Sequence, residues 1–204
     1  MGVEKPDKTC YIALLRGINV GGKNIIKMER LRQVFEDMGF FDVKTYIQSG
    51  NIIFWIPEAA RPAPGARTEL TARIENQLKE SFSADIKTLV LTVGDLAEAV
   101  ENAPEGFGSE PEKYRYDVWF LLPPATVSDV LPGFHLREGV DALWAGKNVL
   151  YTSRLTSQMG KSYFSKIVQT QVYNSFTIRN WNTTIKLLEL CVGLAPQFEH
   201  DHDA

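Results

Sequence analysis

The chain has 204 residues, 44% of them hydrophobic and 23% charged, with a formal net charge of −3. That supplies enough apolar material for one large or two small cores. The mild charge gives no global case for nucleic-acid binding and leaves room for a local basic patch. No apolar run approaches the ~18 residues of a membrane span. Cys10 and Cys191, the two cysteines, read as small buried hydrophobes with reduced thiols, which suits a cytoplasmic protein. Residues 1–9 are polar, so no secretory leader is expected. The tail His200-Asp201-His202-Asp203-Ala204 reads as a frayed terminus, with weak metal binding as the alternative.

Cys10–Arg16 is short and apolar, bounded by Gly17, and reads as a strand. Met28, Leu31, Val34, Phe35 and Met38 recur at helical spacing, with Gly39 as the stop. Val43–Gln48 and Asn51–Ile56 read as strands joined at Ser49-Gly50, a β-hairpin. Pro57–Ala66 is a loop rich in Pro and Ala. Leu70, Ile74, Leu78 and Phe82, four apart, place a narrow apolar stripe on a helix. Ile86–Val93 is a β-branched strand, and Asp95–Asn102 a short helix with Asp95 as its expected cap. Ala103–Arg115, with Pro104, Gly106, Gly108 and Pro111, reads as a linker.

Beyond the linker the pattern restarts. Asp117–Leu122 is a strand and Thr126–Leu131 a short helix. Val140–Trp144 and Asn148–Ser153 are strands joined by Ala145-Gly146-Lys147. Lys161–Gln169 is a helix, Ser175–Ile178 a strand and Trp181–Leu190 a helix. Both halves share one element order, and two segments match locally. Ser49–Phe54 resembles Gly146–Tyr151, and Leu91–Leu96 resembles Phe176–Trp181. The expectation is an α+β protein made by structural duplication, with two ferredoxin-like βαββαβ subdomains of antiparallel sheet. They span 1–102 and 117–204, joined by 103–116, with a C-terminal helix and a short disordered tail. In such a unit the loop after the first strand lies beside the hairpin turn, so Gly17–Asn24 and Gln48–Asn51 become neighbours. The second unit should gather Arg154, Lys161, Ser162 and Arg179 at one end.

The segments ALLRGINVGGKN, KMERL, YIQSGNIIF and TIRNWNTTIKLLEL are similar to the signature of a bacterial family, domain of unknown function 1697. The resemblance runs from about Cys10 to Leu190. It implies a two-subdomain ferredoxin-like fold and no established activity, substrate or catalytic residue. The residues matching the signature are Arg16, Gly17, Asn19, Gly21, Gly22, Asn24, Gln48, Ser49, Gly50, Asn51 and Arg179–Asn182.

Gly17–Asn24 reads G-x-x-x-x-G-K-N, close to a phosphate-binding P-loop. Asn24 replaces the hydroxyl that would hold Mg²⁺, and the tight hairpin contradicts a parallel sheet, so a nucleotide triphosphatase is disfavoured. Two readings remain. In one, Gly17, Gly21 and Gly22 expose backbone N–H groups to an anion while Arg16 and Lys23 supply cations. In the other, the glycines only supply positive φ. Asn19, Gln48 and Asn51 either hydrogen-bond a ligand or satisfy loop backbone. Ala142–Leu188 contains Lys147, Arg154, Lys161, Lys166, Arg179 and Lys186 and no acid. With its interleaved aromatics it suits nucleic acid or a nucleotide.

Enzyme signatures are missing. His135 stands alone, no Cys/His spacing suits zinc, and Gly-x-Ser-x-Gly is absent. Asp117 and Asp141 lack a partner visible in sequence. Ser153, Ser157 and Ser162 read as loop and cap residues. The expected function is a soluble binding module for a phosphate-bearing ligand, nucleotide or nucleic acid, with no cofactor and no membrane partner. Its binding set is Arg16, Gly17, Asn19, Gly21, Gly22, Lys23, Asn24, Gln48, Asn51, Arg154, Lys161, Arg179 and Asn180. The alternatives are an enzyme on a small phosphorylated or acidic metabolite in a cleft between the units, and a protein-interaction scaffold.

Overall fold

The computed structural model describes residues 8–21, 25–58, 61–63, 67–167 and 169–193. Gly22, Lys23, Asn24 and the His200–Ala204 tail lie outside the described residues. The first half contains β1 (Lys8–Leu15), α1 (Met28–Asp37), β2 (Phe41–Tyr46), β3 (Asn51–Pro57), α2 (Arg67–Phe82), β4 (Thr88–Thr92) and α3 (Val93–Glu101). The second contains β5 (Tyr114–Leu121), α4 (Val127–Val130), β6 (Asp141–Ala145), β7 (Val149–Leu155), α5 (Phe164–Ile167), β8 (Phe176–Asn180) and α6 (Trp181–Val192).

Each half forms one four-stranded antiparallel sheet, in the orders β2-β3-β1-β4 and β6-β7-β5-β8. This is the expected ferredoxin-like arrangement, made twice. Alternation along the strands sends side chains to opposite faces. On the first sheet, Tyr11, Ala13, Leu15, Ile52 and Phe54 point outward into a core with Leu31, Val34 and Phe35 of α1 and Leu70, Ile74 and Leu78 of α2. Ile12, Leu14, Ile53, Trp55, Leu89 and Leu91 point inward. There they share one core with Val118, Phe120, Val149 and Tyr151 of the second sheet, Leu96 of α3 and Leu187 of α6. The helix that follows each sheet therefore packs between the two sheets. Trp119, Leu121, Leu150 and Phe176 face out of the second sheet against Val130, Phe134, Phe164 and Ile167.

Local chemistry explains most boundaries. Helix α1 ends where Gly39 takes φ +82°, and the Phe40 N–H then reaches back to the Phe35 carbonyl at 3.3 Å, a Schellman stop. Helix α3 is capped by Thr92 rather than Asp95. The Thr92 hydroxyl accepts the Asp95 N–H at 3.1 Å while the Asp95 carboxylate accepts the Thr92 N–H at 2.8 Å. Thr126 and Asp129 make the same box on α4.

The helix expected over Lys161–Gln169 is broken. Thr156–Lys161 is a 3-10 segment, Ser162 is extended, and only Phe164–Ile167 is α-helical. The Ser162 hydroxyl accepts the Phe164 N–H at 3.2 Å, so a serine cap restarts the chain there.

Sheet register also corrects the internal matches. Tyr11 lies opposite both Phe54 and Thr92, and Asp117 opposite both Thr152 and Asn180. Thr92 and Asn180 each cap the helix that follows. The duplication therefore equates Phe54 with Thr152, Asn51 with Val149, and Leu91 with Arg179. The local sequence matches are out of step by one residue in the hairpin and by three in the last strand.

The connection from α3 to β5 is packed. Phe107 makes edge contacts with Tyr116, Trp144, Tyr151 and Trp181, at centroid distances of 4.9–6.0 Å. Gly108 sits so close to Trp181 that a Cβ would lie 2.3 Å from the indole Nε1.

Candidate functional site

The glycine connection starts at the end of β1 and is fastened from its first turn. Asn19, at φ +54°, donates from Nδ2 to the carbonyls of Ile26 at 3.0 Å and Gln48 at 2.9 Å, and its Oδ1 accepts the Ile26 N–H at 2.8 Å. The loop and the β2–β3 turn are thus neighbours, as the fold requires. The Asn19 amide closes the loop on itself and on the turn. Around this clasp Val20, Ile25 and Ile47 are exposed, and Ile47 holds φ +47°, a strained setting for a β-branched residue. Gly50, at φ +77°, passes so close to β1 that a Cβ would meet Leu15 Cβ at 2.8 Å.

Arg179 is the least expected member of the set. Its guanidinium is buried in the interior, on the face of β8 that meets the first sheet. All of its donor nitrogens are engaged. Nε donates to the Asn51 side-chain oxygen, Nη1 to Thr177 Oγ1 at 3.0 Å and the Ile178 carbonyl at 2.8 Å, and Nη2 to the carbonyls of Leu15 at 2.8 Å and Gly50 at 3.1 Å. Every one of these acceptors is neutral. Burial lowers its pKa to about 10, which leaves it cationic at neutral pH. A fully hydrogen-bonded cation thus ties β8 to the end of β1 and to the hairpin turn. Asn51, fully buried, completes the tie by donating to the Tyr46 carbonyl and Ser49 Oγ, each at 3.0 Å. Asn180 caps α6 through the Asn182 N–H and donates to the Tyr116 carbonyl.

Arg154 lies on the opposite face of the second sheet. Its Nη2 donates to Asp117 Oδ2 at 2.6 Å, and Arg115 Nε donates to both oxygens of the same carboxylate at 3.1 and 3.0 Å. Asp117 is buried and so has two arginines as partners. Asp141 accepts the N–H groups of Arg137 and Tyr163. Arg154 and Arg179 share one end of the second sheet, as expected, but lie on opposite faces, because Val118, the residue opposite Arg179, points inward while neighbouring Asp117 points outward.

The acid-free stretch does not form one basic patch either. Lys147 pairs with Glu98 at 2.9 Å, Lys186 with Glu189 at 3.0 Å, and Lys166 lies over the Tyr163 ring. Lys161 reaches Gln158. Glu98, brought in by the fold, pairs with Lys147, whereas Lys186 is paired by its near neighbour Glu189. His135 is exposed on the connection before β6.

A cleft of about 1590 Å³ opens between the halves, walled by α2, β4 and α3 on one side and by the ends of β5, the β6–β7 turn and Asn174-Ser175 on the other. Its floor includes Leu89, Leu91, Phe120 and Val149. Three of its cations are paired: Arg67 with Asp95, Lys87 with Glu75 at 3.0 Å, and Lys147 with Glu98. Arg16 is different. Among the described residues it has no carboxylate partner. Its Nη2 donates to the Tyr173 carbonyl at 3.3 Å and Asn174 Oδ1 at 3.1 Å, and its guanidinium lies 4.7 Å from the centre of the Tyr173 ring. Its Nε is buried and has no hydrogen-bond partner among the described residues. Of the described members of the expected binding set, Arg16 alone lines this cleft.

The family model for a protein of unknown function (DUF1697) matches residues 9–151. The chain belongs to this family. Within this DUF1697 chain the match includes β1, the glycine connection and the hairpin, and ends before Arg154, Lys161, Arg179 and Asn180. Among solved structures, the conserved bacterial protein SP0830 from Streptococcus pneumoniae is similar, at 26% identity and a TM-score of 0.76, over 91% of this chain and 99% of that one. No curated protein matches. No helix among the described residues is long and apolar enough to cross a membrane.

Proposed function

We propose that the protein is a binding module for a phosphate-bearing ligand, a nucleotide or nucleic acid, held in the cleft between the two sheets. Arg16 is the anchoring cation, and the observation that carries the reading is its state. It lies in the cleft, is steadied by Tyr173 and Asn174, and among the described residues lacks a carboxylate and has a buried Nε with no partner. A guanidinium with free fork positions matches phosphate oxygens in geometry and charge. The apolar floor offers a surface to the organic part of such a ligand. The cleft exceeds the roughly 300–1,000 Å³ of small-molecule pockets, which favours a ligand larger than a mononucleotide. The carboxylates in the cleft are all engaged in ion pairs or a helix cap, which weighs against the enzyme reading.

A panel of nucleotides and short oligonucleotides at low salt tests this. Binding is expected to weaken as salt rises and to fall at least ~10-fold in Arg16→Ala, further with Lys23→Ala. Absence of binding across the panel overturns the reading.

One observation favours a second reading, an interaction surface. Exposed Val20, Ile25 and Ile47 lie together at the clasped loop. The simplest occupant is a second copy of this chain. A monomer at high concentration by sedimentation contradicts it.

A further inference from the structure

The two sheets present four edge strands, β2 and β4 in the first and β6 and β8 in the second. An open edge is a row of unpaired N–H and C=O groups, and folded proteins usually blunt it. Three of these edges are blunted. Strand β2 is bulged between Phe41 and Lys44, where Asp42 holds φ +49°. On β4, the Arg16 N–H donates to the Lys87 carbonyl at 2.8 Å, so Leu89 and Leu91 bond β1 while Thr88, Val90 and Thr92 face outward. The outward N–H groups of Thr88 and Thr92 donate to Glu75 and Asp95, each at 2.8 Å. On β8 the outward carbonyl of Ile178 accepts Arg179 Nη1 at 2.8 Å.

Strand β6 has no such device. The Gly146 N–H donates to the Val149 carbonyl at 2.8 Å and the Leu155 N–H to the Val140 carbonyl at 2.9 Å. That register bonds Ala142 and Trp144 to β7 and turns the main-chain groups of Asp141, Leu143 and Ala145 to the free side. The Asp141 N–H is engaged by the Arg137 carbonyl at 2.9 Å. Among the described residues no hydrogen bond reaches the N–H or carbonyl of Leu143 or Ala145. The strand carries no proline, its one charge is at Asp141, and Trp144 and Ala145 are exposed.

We propose that β6 pairs antiparallel with β6 of a second copy of this chain, joining the two second-half sheets into one. The free edge is self-complementary. About a two-fold axis at Leu143, this residue exchanges N–H and C=O bonds with its own copy, and the Ala145 N–H donates to the Asp141 carbonyl of the other copy. The same register sets Trp144 opposite Ala142 of the other copy, a large ring beside a small side chain, while Phe107 backs the indole at 6.0 Å. A two-residue slip one way puts the two Trp144 rings directly opposite each other. A slip the other way puts Ala145 opposite Gly139, outside the strand. Strands of 5 residues bury little area, so the dimer is weak and concentration-dependent. This edge lies in the other half from Val20, Ile25 and Ile47, so mutation separates the two surfaces.

Sedimentation equilibrium of the full chain, over a series reaching about 1 mM, should show monomer and dimer in exchange. Hydrogen exchange in the peptide covering 141–147 should slow as concentration rises, because the Leu143 and Ala145 amides gain partners only in the dimer. Ala145→Pro removes an outward N–H and leaves the β7 ladder intact, and Ala145→Glu sets an acid opposite Asp141 of the other copy. Each should weaken the dimer at least ~10-fold, with unfolding curves to verify that the variants fold. Ala145→Lys, facing the same aspartate, should retain it. A monomer at every concentration, a dimer unchanged by both Ala145→Pro and Ala145→Glu, or a dimer broken by Ile47→Asp and not by those two would overturn the proposal.

Discussion

The two sheets share a strand order and differ in what covers them. The first is backed by α1 and α2, of 10 and 16 residues, with apolar residues at helical spacing. The second is backed by α4 and α5, of four residues each, with 3-10 segments between. There, Trp119, Phe134, Phe164 and Phe176 fill the space with mutual ring contacts. Bulky rings thus replace helix length as the source of buried area. The polar positions differ as well. Leu91, Tyr11 and Val149 have Arg179, Asp117 and Asn51 as their counterparts, so each half carries buried polar groups where the other is apolar or aromatic. Duplication preserved the frame, and the departures from symmetry hold the cross-links. Arg179 joins one half to the other, and the Arg115–Asp117–Arg154 group fastens the second sheet to itself.

The largest effect expected from restoring symmetry is in Arg179→Leu, which installs the counterpart residue. It takes one donor from each of the Leu15, Gly50 and Asn51 oxygens, of which Gly50 keeps the Leu15 N–H, and stability should fall by about 3–5 kcal/mol in denaturant unfolding. The Asn51→Leu change should be strongly coupled to it, the double variant costing less than the sum of the singles. Unchanged stability in Arg179→Leu would mean that the halves are joined by the apolar core alone. Next is Asp117→Asn, which removes the charge between two arginines and should cost about 3 kcal/mol, read as a lower unfolding midpoint at unchanged denaturant slope. Smaller again is Asn19→Ala. It loses the loop clasp and puts alanine at positive φ, for about 1–2 kcal/mol, whereas Asn19→Gly should cost less because it tolerates that backbone. Equal costs would show that the clasp bonds, not the backbone setting, dominate.

Much of the frame is legible in the residues. The hairpin at Ser49-Gly50, the four-residue spacing of Leu70, Ile74 and Leu78, and the Gly39 stop are local signals with local causes. The adjacency of the glycine loop and the hairpin turn follows from strand direction alone. What was not legible depends on partners far away in sequence. Arg179 reads as part of a basic surface because its acceptors at Leu15 and Asn51 lie 164 and 128 positions away. Asp117 reads as unpartnered although Arg115 is two residues distant, since only the fold shows that both side chains turn to one place. A cleft between the units is expected from the sequence, and its lining was not legible for the same reason. Of its cations, the loop reading identified Arg16, and neither Tyr173 nor Asn174 carried a signal marking it as Arg16's support.

Arg16 is proposed to anchor a phosphate-bearing ligand in the cleft. This role is tested most directly by titrating wild type and Arg16→Ala with one oligonucleotide at two salt concentrations, after unfolding curves show both proteins equally folded. Binding by wild type is expected to weaken with salt, with at least a ~10-fold loss in the variant and a shallower salt dependence. Equal affinity of the two proteins at both salts, or no binding by wild type across the ligand panel, would contradict it.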